Sequence, residues 1–466
     1  MQKSKERSGI VNSDKKIPIF RTLKEEIDKE ELHRLILAHQ QYQNKYKKAW
    51  DYFEGRHNIL HRELGDDTKP NHKCVMNYPS YICSVRNGYF SGNPITLVSE
   101  DKEMLKQLNE VLDYNNFHSV FGRLDEISSI YGHANLILYI DKNSEMKIKA
   151  LDPTCSFVVY DCTLDMDRKF GIIYNKFIDD ATGDLIYKVD VYDKDYHYVY
   201  TGAEDKFELI STQEHYFGDV PLIEFVEKED RMGCFENCYD IIDALEQIVS
   251  DNLNTMDYFG NSYLLLKNLS GTTREDIEEM KKNRVLLVEE DGDAKFICPV
   301  IESQFTQNNF KSLHSELFLI AKTPCLSDES FSSNSSGVSI SYKLFSMTKS
   351  ADVKEQYFRE SFDELFKMII HVFNLKGNNF NARDIRQTYV KSLPSDLNNL
   401  ADSISKLKDV VSQRSLLSQL DFITDADLEM EQFRDEKDYL FQHQLEQMDI
   451  YDDTTKDVGE VDDRKE

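Results

Sequence analysis

The 466-residue chain is 40% hydrophobic, 11% aromatic and 30% charged, which supplies ample apolar material for a core and excludes disorder throughout. Its 84 acidic residues outnumber 56 basic ones for a net charge of −28, which argues against a protein whose main task is to grip nucleic acid, because neutralising phosphate takes clustered Lys and Arg. A protein that lets nucleic acid pass is not excluded, since an acidic wall repels phosphate.

The N-terminal MQKSKERSG lacks an apolar signal region, and no run approaches the ~20 apolar residues of a membrane span, so a reducing cytoplasmic site of synthesis is expected. Between Glu25 and Phe53, the residues Leu32, Leu35, Ile36, Tyr42, Tyr46, Trp50 and Phe53 recur every three to four positions and predict one amphipathic helix, stopped by Gly55. Residues 65–73 form a polar loop. NYPSYICSVRNGYFSGNPITLV, Asn77 to Val98, predicts a helix with Pro79 in its first turn, running into a Gly/Pro turn and an extended segment.

Helices are expected near 103–112 and 116–132, followed by the β-type runs ANLILYI, MKIKALD, SFVVYD, FGIIYNKFI, LIYKVDVYD and YHYVY. This pattern is α+β with antiparallel strands. Cys234 to Phe259 reads as one long helix that carries Cys234 and Cys238 one turn apart as core thiols. The insertion 261–301 follows, with SYLLLKNL, RVLLVEE and AKFICPV as strands and TTREDIEEMKKN as a short helix.

Phe305, Phe310, Leu313, Leu317 and Ile320 predict a returning helix that ends near Pro324. The next stretch places eight serines within the fifteen residues Ser327–Ser341. Beyond it, Leu344, Met347, Phe358, Phe362, Leu365, Ile369 and Val372 lie on a segment free of Gly and Pro from Val338 to Leu375, long enough for a helix of about 57 Å. A strand precedes Pro394, and Leu397, Leu400, Ile404, Leu407 and Val411 then make a short heptad-like seam. SLLSQL and the segment from Asp425 continue as helices, and the tail from Asp449, with eight acidic and three basic residues, is expected to be disordered.

Motifs for chemistry are sparse. The chain has neither a GxxxxGK[ST] phosphate loop nor a GxSxG elbow, so the serine-rich stretch reads as solvated backbone rather than as a nucleophile. The eight cysteines form no CxxC pair, and HExxH is missing. His57 and His61 are four apart without an adjacent Glu and read as a surface pair at a helix end. Asp161, Asp165 and Asp167 are too irregularly spaced for a calcium loop and read as an acidic turn. Lys322 before the serine stretch, and Lys343, Lys349 and Lys354 after it, are either ordinary helix-surface lysines or weak phosphate contacts.

The order of parts is more telling than any motif: helix, small α/β insertion, returning helix, Ser/Gly loop, long helix, helical end. That order resembles the portal proteins of tailed bacteriophages, and in particular the SPP1-type portal family. The residues that carry the resemblance are WDYFEGRHNILHR (Trp50–Arg62), NYPSYICSVRNGYFSGNPI (Asn77–Ile95), NSSGVSISYKLFSM (Asn334–Met347), and the segment that opens with VKSLPSDLNNLADSISKLKDVV at Val390 and closes in an Asp-rich helix. They span most of residues 45–440 in the family's order.

The resemblance implies a mainly helical portal fold with long stem and wing helices, an antiparallel β-rich wing and a small α/β clip. Its parts would be an N-terminal helical arm (1–75), wing (76–232), first stem helix (233–260), clip (261–301), second stem helix (302–323), tunnel loop (324–338), long wing helix (339–378), crown (379–445) and acidic tail (446–466). It further implies a ring, usually of twelve subunits, at one capsid vertex of the virion, assembled in the host cytoplasm. The ring would conduct double-stranded DNA during packaging and ejection. Its implied partners are the terminase large subunit and the scaffolding, major capsid and head-completion (adaptor) proteins, with no membrane, catalytic, cofactor or metal site.

On this reading Ser332, Ser333, Asn334, Ser335, Ser336 and Gly337 face DNA, Lys322, Lys343 and Lys349 touch it, and Glu289, Glu290, Asp291 and Asp293 belong to a terminase-docking surface. The alternative reading is a minor head or other virion interaction protein without a DNA channel. An enzyme is the remaining class, with the Asp161 cluster or Ser335 and Ser336 as its best candidates and no base placed beside either.

Overall fold

The computed structural model describes residues 17–65, 69–178, 183, 185–203, 206–259, 263–267, 273–275, 278, 293–297, 303–326, 337–391, 404–408, 410–417, 420, 423, 426 and 429–439. Packing divides the chain into two units, Met1–Lys391 and Ser392–Glu466. The described residues of the second unit form helices at 404–407, Gln413–Leu417 and 429–439. Leu397 and Leu400 of the expected heptad-like seam, and all of the acidic tail, lie outside the described residues.

The first unit is α+β. Helix α1 (Lys29–Gln40) starts where the Asp28 carboxylate accepts the Glu31 N–H at 2.7 Å. It lays Leu32, Leu35 and Ile36 on a six-stranded sheet, whereas α2 (Gln43–Phe53) sends Tyr46, Ala49 and Tyr52 into the main core. The single helix expected over 25–53 is therefore two, broken at 41–42, because its halves serve different cores. Gly55, at φ +79°, takes the left-handed conformation that ends α2.

The strands are β1 (Phe20–Arg21), β2 (Thr96–Val98), β3 (His133–Ile140), β4 (Met146–Leu151), β5 (Ser156–Tyr160), β6 (Arg168–Ile178), β7 (Leu185–Tyr192), β8 (Tyr196–Ala203), β9 (Lys206–Glu214), β10 (Leu222–Val226), β11 (Tyr263–Lys267), β12 (Asp293–Ile297) and β13 (Arg386–Thr388). The large sheet runs β1-β5-β6-β7-β8-β9, parallel only between β1 and β5, and a second sheet runs β10-β3-β4. Ile137, Val158, Val220 and Leu222 fill the space between the two sheets, close enough that a Cβ on Gly171 would lie 2.5 Å from that of Leu222. β9 and β10 escaped the sequence reading for different reasons. β9 buries only Phe207 and so shows no clean alternation, and β10 is a five-residue run directly after Pro221.

Helices α3 (Tyr78–Phe90), α4 (Lys102–Tyr114) and α5 (Phe117–Tyr131) follow the sequence closely. Asn77 caps α3 through its side chain with Pro79 in the first turn, and Asp101 caps α4. Helix α6 (Tyr239–Phe259) and helix α7 (Ser303–Ile320) pack on each other and flank the antiparallel β11–β12 ribbon, in register from Tyr263↔Ile297 to Lys267↔Asp293. The predicted strand RVLLVEE lies outside the described residues.

The 39-residue α8 (Gly337–Leu375) runs unbroken and supplies the centre of the core. Its Phe358 and Phe362 are fully buried and meet Phe225 with ring centroids 5.2 and 4.7 Å apart, while Phe117 meets Phe362 at 5.1 Å, all edge-on. Each such side chain removed from water contributes about 1.5–3 kcal/mol, and the edge-on geometry adds to it. β13 then returns to pair with β2.

Candidate functional site

The two helices that bracket the serine-rich stretch meet in a groove of about 710 Å³. Lys311, His314 and Lys322 line it from α7 and the residues just past its end, and Lys343 and Ser346 line it from α8. Phe310 and Phe318 form its floor, with the His314 ring stacked on Phe310 at 5.8 Å and edge-on to Phe318 at 4.9 Å. No described lining residue is acidic, in a chain of net charge −28. Amines beside aromatic walls suit a polyanion, and because Lys311 and Lys322 are exposed their hold on it would be weak and screened by salt.

Both edges of this groove are built on α3. At the end of α7 the chain turns through Lys322 at φ +53°, with the Thr323 N–H donating to Phe318 O at 3.1 Å. The Tyr81 hydroxyl donates to Pro324 O at 3.2 Å and accepts the Leu326 N–H at 2.9 Å, which pins the last described residues before the serines. Arg86 donates to Ala321 O at 3.3 Å. On the α8 side, the Tyr89 and Thr348 hydroxyls are 2.9 Å apart. Tyr81, Arg86 and Tyr89 thus hold the residues just before the serine-rich stretch and a turn of α8 from one helix. In the sequence they show only as aromatic and basic residues recurring on α3, a pattern that any packed helix gives.

Behind the groove lies a sealed ionic knot. Arg86 donates to Glu227 Oε1 at 2.8 Å and to Ser350 Oγ at 2.9 Å, and the Lys354 ammonium pairs with Asp125 at 2.5 Å and with Glu227. Two cations balance two carboxylates. Although burial pushes the Glu227 carboxyl up, Lys354 and Arg86 outweigh it and hold the group at about 2. Asp125 is pushed up by burial, which its bonds to Lys354 and Ser91 only partly offset.

Lys322 and Lys343 therefore share one groove. Lys349 stands outside it, half-exposed and paired with Asp352 at 2.8 Å. Lys354 is only 3% exposed, which corrects the reading of it as a surface or phosphate-contacting lysine: its ammonium is needed inside to neutralise two carboxylates. Gly337 is the first residue of α8, and Ser332, Ser333, Asn334, Ser335 and Ser336 lie outside the described residues. So do Glu289, Glu290 and Asp291, while Asp293 opens β12 opposite Lys267.

Two further expectations need correction. His57 is no surface residue: it is fully buried, with Nδ1 2.5 Å from Glu246 Oε1 and Nε2 2.7 Å from Tyr52 O. Burial works to lower its pKa, and those two acceptors overcome it and raise it. Cys234 is not helical, since α6 begins at Tyr239 after a 3-10 turn over Glu236–Cys238, although Cys238 is buried in the core and Cys234 packs against it. The acidic turn reading holds, because the Asp161 carboxylate accepts from Thr163 N–H and Oγ1 and its own N–H donates to Asp167 O. Among the described residues no group of three His, Cys, Asp or Glu side chains is placed to hold a metal, and no described helix is long and apolar enough to cross a membrane.

Comparison with known proteins places this geometry. Residues 32–442 match the family described as phage portal protein, SPP1 Gp6-like. The chain belongs to that family. The portal protein of Bacillus phage SPP1 is 20% identical over 394 residues, covering 80% of this chain and 78% of the relative. The portal protein of Clostridium phage phiCD119 is also 20% identical, over 455 residues that cover 91% of this chain and 98% of the relative. The family is a structural one, and the match runs through α1 to α8, so it includes both edges of the basic groove.

Proposed function

We propose that this chain assembles into a portal ring, usually of twelve subunits, at one vertex of a phage capsid, forms the channel through which double-stranded DNA is packaged and later ejected, and performs no catalysis. The observation that carries the reading is the family match over residues 32–442 combined with an acid-free basic groove where the serine-rich segment leaves and rejoins the helices. On this reading α6 and α7 are the stem, residues 261–301 the clip, residues 324–338 the tunnel loop, α8 the long wing helix and residues 379–445 the crown. The serines 332, 333, 335 and 336 with Asn334 and Gly337 are small and face DNA without holding it, while Lys322 and Lys343 touch phosphate in passing. Weak, screened contacts suit transit, because a site that neutralised many phosphates would stall the polymer. Glu289, Glu290, Asp291 and Asp293 would face the terminase large subunit, and scaffolding, major capsid and head-completion proteins would bind elsewhere on the ring.

Negative-stain imaging of the purified protein tests the assembly, with rings around a central channel expected. A strictly monomeric protein under all conditions would count against it, and a stable hetero-complex in place of rings would favour a minor head protein. For the loop, deletion of Asn334–Gly337 should preserve rings and lower the DNA packaged per head, and normal packaging by that variant sinks the tunnel role. Charge reversal at Glu289 and Asp291 should weaken terminase capture in a pull-down, with unchanged capture as the adverse result.

A further inference from the structure

The sulfur atoms of Cys83 and Cys234 lie 3.5 Å apart, although 151 residues separate them in the chain. Cys83 is buried on α3, and Cys234 is partly exposed in the segment that leads to α6. Both are set against α5. The Cys234 N–H donates to Ser129 O at 2.8 Å, and a Cβ on the preceding Gly233 would lie 2.3 Å from Ile130 O, so this segment sits flush on that helix. From the other side, Ser129 Oγ donates to Asn87 Oδ1 at 2.8 Å and holds α3 on the same turn of α5. The spacing of the two thiols is thus fixed by a shared support rather than by two loose side chains.

We propose that Cys83 and Cys234 form a modification site, a dithiol that a low-molecular-weight disulfide such as glutathione disulfide converts to an intrachain disulfide. The sulfurs must close to about 2.05 Å, a displacement on the scale of a side-chain torsion adjustment. Cys234 is the accessible partner and reacts first: its thiolate attacks glutathione disulfide, a Cys234–glutathione bond forms, and one glutathione leaves with the proton. Cys83 then attacks the Cys234 sulfur, the protein disulfide forms, and the second glutathione leaves with the Cys83 proton. Two protein thiols are oxidised and one glutathione disulfide is reduced to two thiols. Burial pushes the Cys83 thiol up while the Arg86 guanidinium works against it, so the second step is the slow one. Cys238, fully buried with its thiol pushed up to about 12, is the poorer competitor. The bond would fasten α3, which carries both edges of the basic groove, to the chain entering α6.

The test oxidises the full-length protein with excess glutathione disulfide, blocks remaining thiols with N-ethylmaleimide and maps peptides by mass spectrometry. The expected result is a Cys83–Cys234 cross-linked peptide that dithiothreitol reverses, while an exposed thiol such as Cys162 carries glutathione and no intrachain bond. The C83A variant should stop at glutathione on Cys234, with no intrachain bond. Retention of the Cys83 thiol in the wild-type protein after prolonged oxidation overturns the proposal, and so does a cross-link that maps to Cys234 and Cys238. The wild-type map decides the matter even where C83A does not fold.

Discussion

The Lys354 ammonium lies 2.5 Å from Asp125 Oδ1, and the two residues are 3% and 1% exposed. The pair joins α8 to α5, and Glu227 and Arg86 extend it to the end of β10 and to α3. Such a knot adds little net stability compared with apolar residues of the same volume, because four charges were taken out of water to make it. What it imposes is register: α8 slides along the core only by stranding a buried charge.

Replacing Lys354 by Met keeps the length of the side chain, strands Asp125 and leaves Glu227 with Arg86 alone. We expect K354M to lose about 3–5 kcal/mol in denaturant unfolding, and K354M combined with D125N to lose less than the sum of the two single variants. Additive losses would show that the pair acts independently.

Acid should destabilise the first unit before its carboxylates titrate. Burial holds His39 at about 3 and His133 at about 4, against about 6.5 when unfolded, and the two rings lie in the same buried cluster with Tyr46. A group whose folded pKa is depressed below its unfolded value binds protons preferentially in the unfolded chain, so stability falls as pH drops below 6.5. The loss is about 2 kcal/mol for each histidine by pH 5. His57 has the opposite sign, since its raised pKa favours the folded state as pH falls through the folded value to 6.5, and it contributes nothing further below that. Glu227 adds to the acid loss only below about 4.5. The urea midpoint should therefore fall between pH 6.5 and pH 5, and a flat profile there would refute the assignment.

Gly132 and Gly88 should respond oppositely to alanine. Gly132 sits at φ +89°, and a Cβ there would lie 2.2 Å from Arg231 O, which is backbone and cannot yield cheaply. G132A should cost more than the ~1–2 kcal/mol of the left-handed conformation alone. Gly88, inside α3, has nothing within 4 Å of the added atom, so G88A should leave stability unchanged or raise it by about 0.5–1 kcal/mol. Thermal midpoints of the two variants check both.

Tyr81→Phe removes the hydroxyl that joins Pro324 and Leu326 while leaving the ring on Phe318 at 5.8 Å. Amide exchange at Leu326 should accelerate, with a global loss of only about 0.5–1.5 kcal/mol. Unchanged exchange there would mean that the segment is held by other contacts.

For the groove, K322E with K311E should leave the thermal midpoint unchanged, since both lysines are exposed. On the portal reading the same variant should package less DNA at low salt, and the deficit should shrink as salt rises. A deficit independent of salt would point to a steric cause.

The sequence by itself determined the α+β class, Pro79 in the first turn of α3, the stop at Gly55, nine of the described strands, the long unbroken helix and the order of parts that marks the family. These are local signals, repeated every two or every three to four residues, and they survive in one dimension. Tertiary structure alone decided that the first predicted helix breaks to serve two cores, that His57 meets Glu246, and that Lys354 faces inward to Asp125, 229 residues away. A lysine on a helix looks the same in sequence whether its stripe meets water or a carboxylate. Which it meets depends on where distant charges end up, and burial makes that decision strong because a lone charge in a low-dielectric core is too costly to leave unpaired.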